Sequence, residues 1–170
     1  MLVSRLIGQT EGARSRKAGA ARETREWDET RFFAALQERR GVAEAAAARR
    51  LLEWGRKAAG YVDWGSGKQD GSFIPVLIEG GVEYYPVVVY TYGRVDIQFQ
   101  YLVSKPPFDS ETKRRELLAK LNEIPGINLP VDSFDRRPSV KLEALVDEQR
   151  LTRFIGVLDW FREQIKAHHG

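Results

Sequence analysis

The sequence predicts a single α+β domain: an antiparallel meander of three to four strands flanked by four helices, in the order α-α-β-β-β-α-(β)-α. Three observations predict it. Apolar residues recur at helical spacing across residues 28–59, the period falls to two between residues 73 and 102, and helical spacing returns towards the C-terminus. The strands follow one another through glycine turns, without crossover helices. Neighbours therefore run antiparallel, the helices gather mainly on one face, and the other face is left open.

Asp28 is a good N-cap for the first helix, with Glu29 in its first turn and Trp27 and Phe32 spaced as a hydrophobic staple. Gly41 ends this helix, and a second one, built on the run Ala45–Ala48, extends to about Ala59 before Gly60. Tyr61–Trp64 has room for a short strand. Phe73–Glu79 is β-branched and apolar, Gly80-Gly81 suits a hairpin turn, and Val82–Tyr92 forms the returning strand. Pro86 cannot donate to a ladder and marks an edge or a bulge. Gly93-Arg94 turns into a strand over Val95–Leu102, whose alternation places Asp96, Gln98 and Gln100 on one polar face.

Pro106-Pro107 stops the sheet. Asp109 or Ser110 caps a third helix carrying Leu117, Leu118, Leu121 and Ile124, and Pro125-Gly126 ends it. Val140 and Leu142 alternate with charge, as in a short further strand. Asp147 opens a last helix with Leu151, Phe154, Leu158, Phe161 and Ile165 along one stripe. Trp160 and Phe161 are expected to close the core there, and His168 and His169 to form a terminal tail.

With 170 residues the chain suffices for one full core. It contains no cysteine, which excludes disulfides, thiolate catalysis and cysteine-ligated zinc, and fits a reducing cytoplasm. No run of about 18 apolar residues suggests a spanning helix, so no membrane partner is expected. Charge is unevenly placed. Residues 1–26 hold six Arg/Lys against three Glu and so carry the whole net charge of +3, while residues 27–170 are formally neutral. This divides the chain into a basic N-terminal arm, 1–26, expected to be mobile, and a folded domain, 27–170.

Trp64-Gly65-x-Gly67-Lys68-x-Asp70-Gly71-Ser72-Phe73 is followed by Tyr92-Gly93-Arg94-Val95-x-Ile97-x-Phe99. After these come Pro107-Phe108, Arg115-Glu116-Leu117-Leu118, Leu121-Asn122 and Arg137-Pro138-Ser139. This pattern resembles an uncharacterised bacterial domain that can accompany restriction-type or other defence nucleases. The resemblance spans about Trp27 to Ala167 and carries no catalytic motif. It implies a nucleic-acid-related context by association.

The Gly65–Lys68 loop is not a Walker loop. Val62 stands where its first glycine belongs, Gln69 replaces the hydroxyl residue, and a strand follows in place of a helix. Its bland reading is a flexible turn; its functional reading is a phosphate cradle around Lys68. A metal-dependent nuclease would need Asp96 gathered with Asp63 or Asp70 around Mg²⁺. The bland reading of these carboxylates is a solvated strand face. Trp64, Phe73, Tyr84, Tyr85, Tyr90, Tyr92, Phe99 and Tyr101 are dense enough to stack on bases, although alternation assigns most of them to the core.

Phosphate contact falls to Arg14, Arg16 and Lys17 of the arm, to Arg49, Arg56 and Lys57 of the second helix, and to Lys68 and Arg94. The function expected is therefore a non-catalytic nucleic-acid-binding or accessory module of a bacterial nucleic-acid-acting system, with no cofactor. The alternatives are the Mg²⁺-dependent nuclease and a protein-interaction subunit whose partner covers the meander edge or the last helix.

Overall fold

A computed structural model describes residues 27–58 and 60–170. Helix α1 (Glu29–Arg40) starts as expected, the Arg31 amide donating to Asp28 Oδ1 at 2.8 Å, and ends at Gly41 with φ 96°. Helix α2 spans Val42–Ala58. Six strands follow the same antiparallel plan: β1 (Tyr61–Trp64), β2 (Ser72–Glu79), β3 (Val82–Tyr84), β4 (Val87–Tyr90), β5 (Arg94–Ile97) and β6 (Ser139–Lys141). A short helix α3 (Phe99–Leu102) and helix α4 (Glu111–Asn122) lie between β5 and β6. A 3-10 turn over Leu142–Leu145 leads into α5 (Glu148–His169). Ser110 caps α4 and Asp147 caps α5.

The order across the sheet is β1-β2-β4-β5-β6, with β3 also paired to β2. Gly80 and Gly81, at φ 58° and 77°, make the two-residue turn between β2 and β3. The returning strand then slips by one residue. Leu77 pairs with Tyr84, but Phe73 pairs with Val89, so Tyr85 and Pro86 together stand opposite Val76. Pro86 thus marks a bulge.

Phe73, Leu77, Val87, Val89, Val95, Ile97 and Val140 belong to the main core on the face that the helices cover. Helix α2 lies closest at Gly55, where a Cβ would come within 2.8 Å of Pro75 Cβ. Helix α5 joins this layer: Trp54 Nε1 donates to Asp159 at 2.8 Å and Arg162 donates to the Ala58 carbonyl at 3.0 Å.

Two sequence expectations are corrected. The fifth strand ends at Ile97 rather than Leu102. The amides of Ile97 and Gln98 still donate in register to the carbonyls of Pro138 and Pro86, but neither proline has an N–H to return the bond, and the chain turns into α3 with the Gln100 amide on the Arg136 carbonyl. Gln98 is buried and Gln100 sits on a helix, so neither shares a strand face with Asp96. His169 is not a loose tail. Tyr84 Oη lies 2.6 Å from the Pro106 carbonyl and 2.8 Å from His169 Nε2. The single phenolic proton goes to the carbonyl, so His169 donates to Tyr84.

Candidate nucleic-acid interface

Register assigns the helix-free face. Its rows are Tyr61 and Val76, Asp63 and Ile74, then Ser72, Tyr90, Arg94 and Lys141, and then Val88, Asp96 and Ser139. Val76 and Val88 are buried here although they lie outside the main core cluster. Aromatic rings supply much of the surface. Tyr92 is stacked on Tyr90 with centroids 5.0 Å apart and planes 14° from parallel. Tyr101 meets Tyr85 edge-on at 5.8 Å, Lys105 Nζ lies 5.2 Å from the Tyr85 centroid, and Tyr61 donates to Glu83 at 3.0 Å. Of the chain's six tyrosines only Tyr84 enters the core.

The turn bearing Tyr92 is anchored from beneath. The Thr91 amide donates to the Gly71 carbonyl and the Gly71 amide to Thr91 Oγ1, both at 3.0 Å; Arg39 Nη1 donates to the same hydroxyl at 3.0 Å. Gly93, at φ 85°, lies over the Arg40–Glu44 pair, and a Cβ there would come within 2.8 Å of both side chains. The ring of Tyr92 is thus presented from a turn already held in place.

At the centre of the face Arg137 Nη2 donates to Tyr90 Oη at 2.8 Å and to Asp96 Oδ2 at 3.0 Å, while Ser139 donates to Asp96 Oδ1 at 2.6 Å. Burial pushes the phenols of Tyr85, Tyr90 and Tyr92 up, and burial with the Glu83 hydrogen bond pushes Tyr61 to about 12. All four therefore stay protonated and uncharged near neutrality. Burial lowers the Lys105 ammonium; burial also pulls Arg137 down, but Tyr90 and Asp96 outweigh it and hold that guanidinium above its ordinary value.

The expected site residues divide. Arg94 lies on the open face, exposed and directly across from Lys141. Lys68 is exposed in the glycine loop. Arg49 and Arg56 lie on the helix layer, both paired to Glu29, at 3.3 and 2.6 Å; Lys57 is exposed on the same helix. Arg14, Arg16 and Lys17 fall outside the described residues. The aromatic expectation is also corrected: Phe73, Tyr84 and Phe99 are core residues and Trp64 packs against the core, but Tyr85, Tyr90, Tyr92 and Tyr101 are not part of it.

The carboxylates do not converge. Asp63 and Asp96 share a face but stand three strands apart, about 14 Å at ordinary strand spacing. Asp70 is paired to Arg39 at 2.9 Å. No cluster of three or more metal-ligating side chains occurs among the described residues.

The glycine loop serves Trp27. The Trp27 amide donates to the Gly65 carbonyl at 2.9 Å and its indole to the Gly67 carbonyl at 2.7 Å, and a Cβ on Gly71 would overlap the indole ring. Gly65 and Gly71 have their amides committed to Ser72 and Thr91, which leaves little of a phosphate cradle.

Comparison with protein families, curated proteins and solved structures finds no match. The chemistry of the open face is therefore the ground for a functional reading. Sequence reasoning passed over Tyr61, Lys105 and Lys141 as members of this site. Tyr61 alone was within its reach, since alternation in Tyr61–Trp64 sets Tyr61 and Asp63 together. No helix among the described residues is long and apolar enough to cross a membrane.

Proposed function

We propose that this protein is a non-catalytic nucleic-acid-binding module whose contact surface is the helix-free face of its sheet. One observation carries the reading. Arg94 and Lys141 are register partners on β5 and β6, both exposed, and neither has an ion pair among the described residues. Like charges directly opposite one another destabilise a strand pair, and an anion bound between them attracts both and offsets that repulsion. Tyr90 continues the same row and carries Tyr92 on its ring. Cations beside exposed aromatic rings are the combination that holds phosphate and base together.

The resemblance to a domain found beside defence nucleases supports the same class, an accessory to a bacterial nucleic-acid-acting system. The test is fluorescence anisotropy of labelled DNA and RNA across a salt series. The reading expects binding that weakens with salt and weakens further in the Arg94→Gln/Lys141→Gln double variant. Absence of binding at low salt contradicts it, as does binding indifferent to these two residues.

A further inference from the structure

We infer that the ligand of this face is single-stranded nucleic acid, its unpaired bases stacked on Tyr92, Tyr101 and Tyr61 and a phosphate held at Arg94–Lys141. The inference rests on the nucleic-acid reading above and adds the strand state of the ligand.

Charge argues against a duplex. Strong duplex binding draws on many phosphate contacts, six to ten in typical cases. Among the described residues the open face offers four cations, Arg94, Lys105, Arg137 and Lys141, against Asp63, Glu83 and Asp96. Arg137 is spent on Asp96 and Lys105 is half-buried over Tyr85. Two exposed cations remain, so this face gains little from a densely charged backbone.

Ring surface argues for unpaired bases. Tyr61, Tyr92 and Tyr101 are 44%, 44% and 41% exposed. Each is held against a neighbour: Tyr92 on Tyr90, Tyr101 on Tyr85, and Tyr61 by its bond to Glu83. Three partly exposed and pre-positioned rings on one side of the sheet suit bases released from pairing. In a duplex the bases already stack on one another and present only their edges. Half-buried Ile74 and exposed Ile78 extend the apolar surface without adding charge.

The experiment uses the full chain and labelled oligonucleotides of about ten residues, within the usual range of single-strand site sizes. Oligo-dT, oligo-dA, oligo-U and oligo-A are compared with the corresponding duplexes. The expected result is at least about tenfold tighter binding of single strands, and about tenfold or greater loss in Tyr92→Ala with retention in Tyr92→Phe, which keeps the ring. Arg94→Gln/Lys141→Gln should make the log–log salt slope shallower by about 0.7, the value for one phosphate on a single strand.

A preference for deoxyribose or ribose among single strands identifies the sugar and supports the inference. Equal or tighter duplex binding that still depends on Arg94 and Lys141 overturns the strand assignment and leaves the nucleic-acid reading standing. Loss of affinity in Tyr92→Phe equal to that in Tyr92→Ala overturns stacking. Failure to bind any oligonucleotide overturns both. Thermal unfolding of each variant separates loss of fold from loss of contact.

Discussion

The ring of Tyr92 lies almost flat on that of Tyr90, 5.0 Å away, at the end of a strand whose next row carries the Asp96–Arg137 pair. A stacked tyrosine pair on an open sheet face adds nothing to the main core, which is complete on the other side. Its position is nevertheless tightly supported, chiefly through Thr91.

That support is measurable. Thr91→Val keeps the shape of the side chain and removes the oxygen that accepts from Gly71 and Arg39. It leaves a buried amide without its partner, a loss of about 1–3 kcal/mol. Urea unfolding should show a lowered midpoint at unchanged slope.

Gly71→Ala should destabilise the fold by about 1–3 kcal/mol, the scale of overpacking, because the new methyl meets the Trp27 indole. The same change made in Trp27→Ala should cost much less, since the ring is gone. A double-mutant cycle by denaturant unfolding measures the difference. Independent effects would show that the loop's glycines serve something other than Trp27.

Asp96→Asn separates stability from function. The Asp96 side chain is only 15% exposed, and losing its charge deprives Arg137 of its counter-ion. Stability should fall by about 1.5–3 kcal/mol, the range for a hydrogen bond to a charged group. Affinity for single strands should rise severalfold, because the face gains one net positive charge. Unfolding and anisotropy on the same sample check both. A metal-dependent nuclease would instead lose its reaction with this substitution.

Alkaline pH supplies a further test. The folded protein holds the Tyr61 phenol up to about 12, above the ordinary value of 10.0. Above pH 10 the unfolded chain therefore loses this proton first. The contribution is fully present below pH 10 and is lost as pH rises from about 10 to about 12. Tyr85, Tyr90 and Tyr92 shift in the same direction. Stability followed against pH should decline through this window, and less steeply in Tyr61→Phe.

Much of the fold was legible because its signals are local. Asp28, Ser110 and Asp147 each cap a helix through their own side chains, and Gly80-Gly81 specifies its turn through positive φ. The open face was harder to read for two reasons. Tyr84 and Tyr90 are six residues apart, an even number, so unbroken alternation sets them on the same side. One extra residue at Tyr85–Pro86 reverses the parity and sends Tyr84 into the core and Tyr90 outside. Likewise the period of two runs on through Phe99–Leu102, but the strand ends at Ile97 because its next register partners are Pro86 and Pro138, which accept from Gln98 and Ile97 and have no N–H to return the bond. These partners are distant in sequence. The Arg94–Lys141 row depends on the same kind of long-range pairing, so Arg94 was found alone and Lys141 not at all.

The most direct test of the central claim is photo-crosslinking of the full chain to an iodouridine-substituted single strand, with the linked residues mapped by mass spectrometry. The open-face account predicts crosslinks at Tyr92, Tyr101 or Tyr61. Crosslinks confined to α1 and α2, around Arg49 and Arg56, would contradict it.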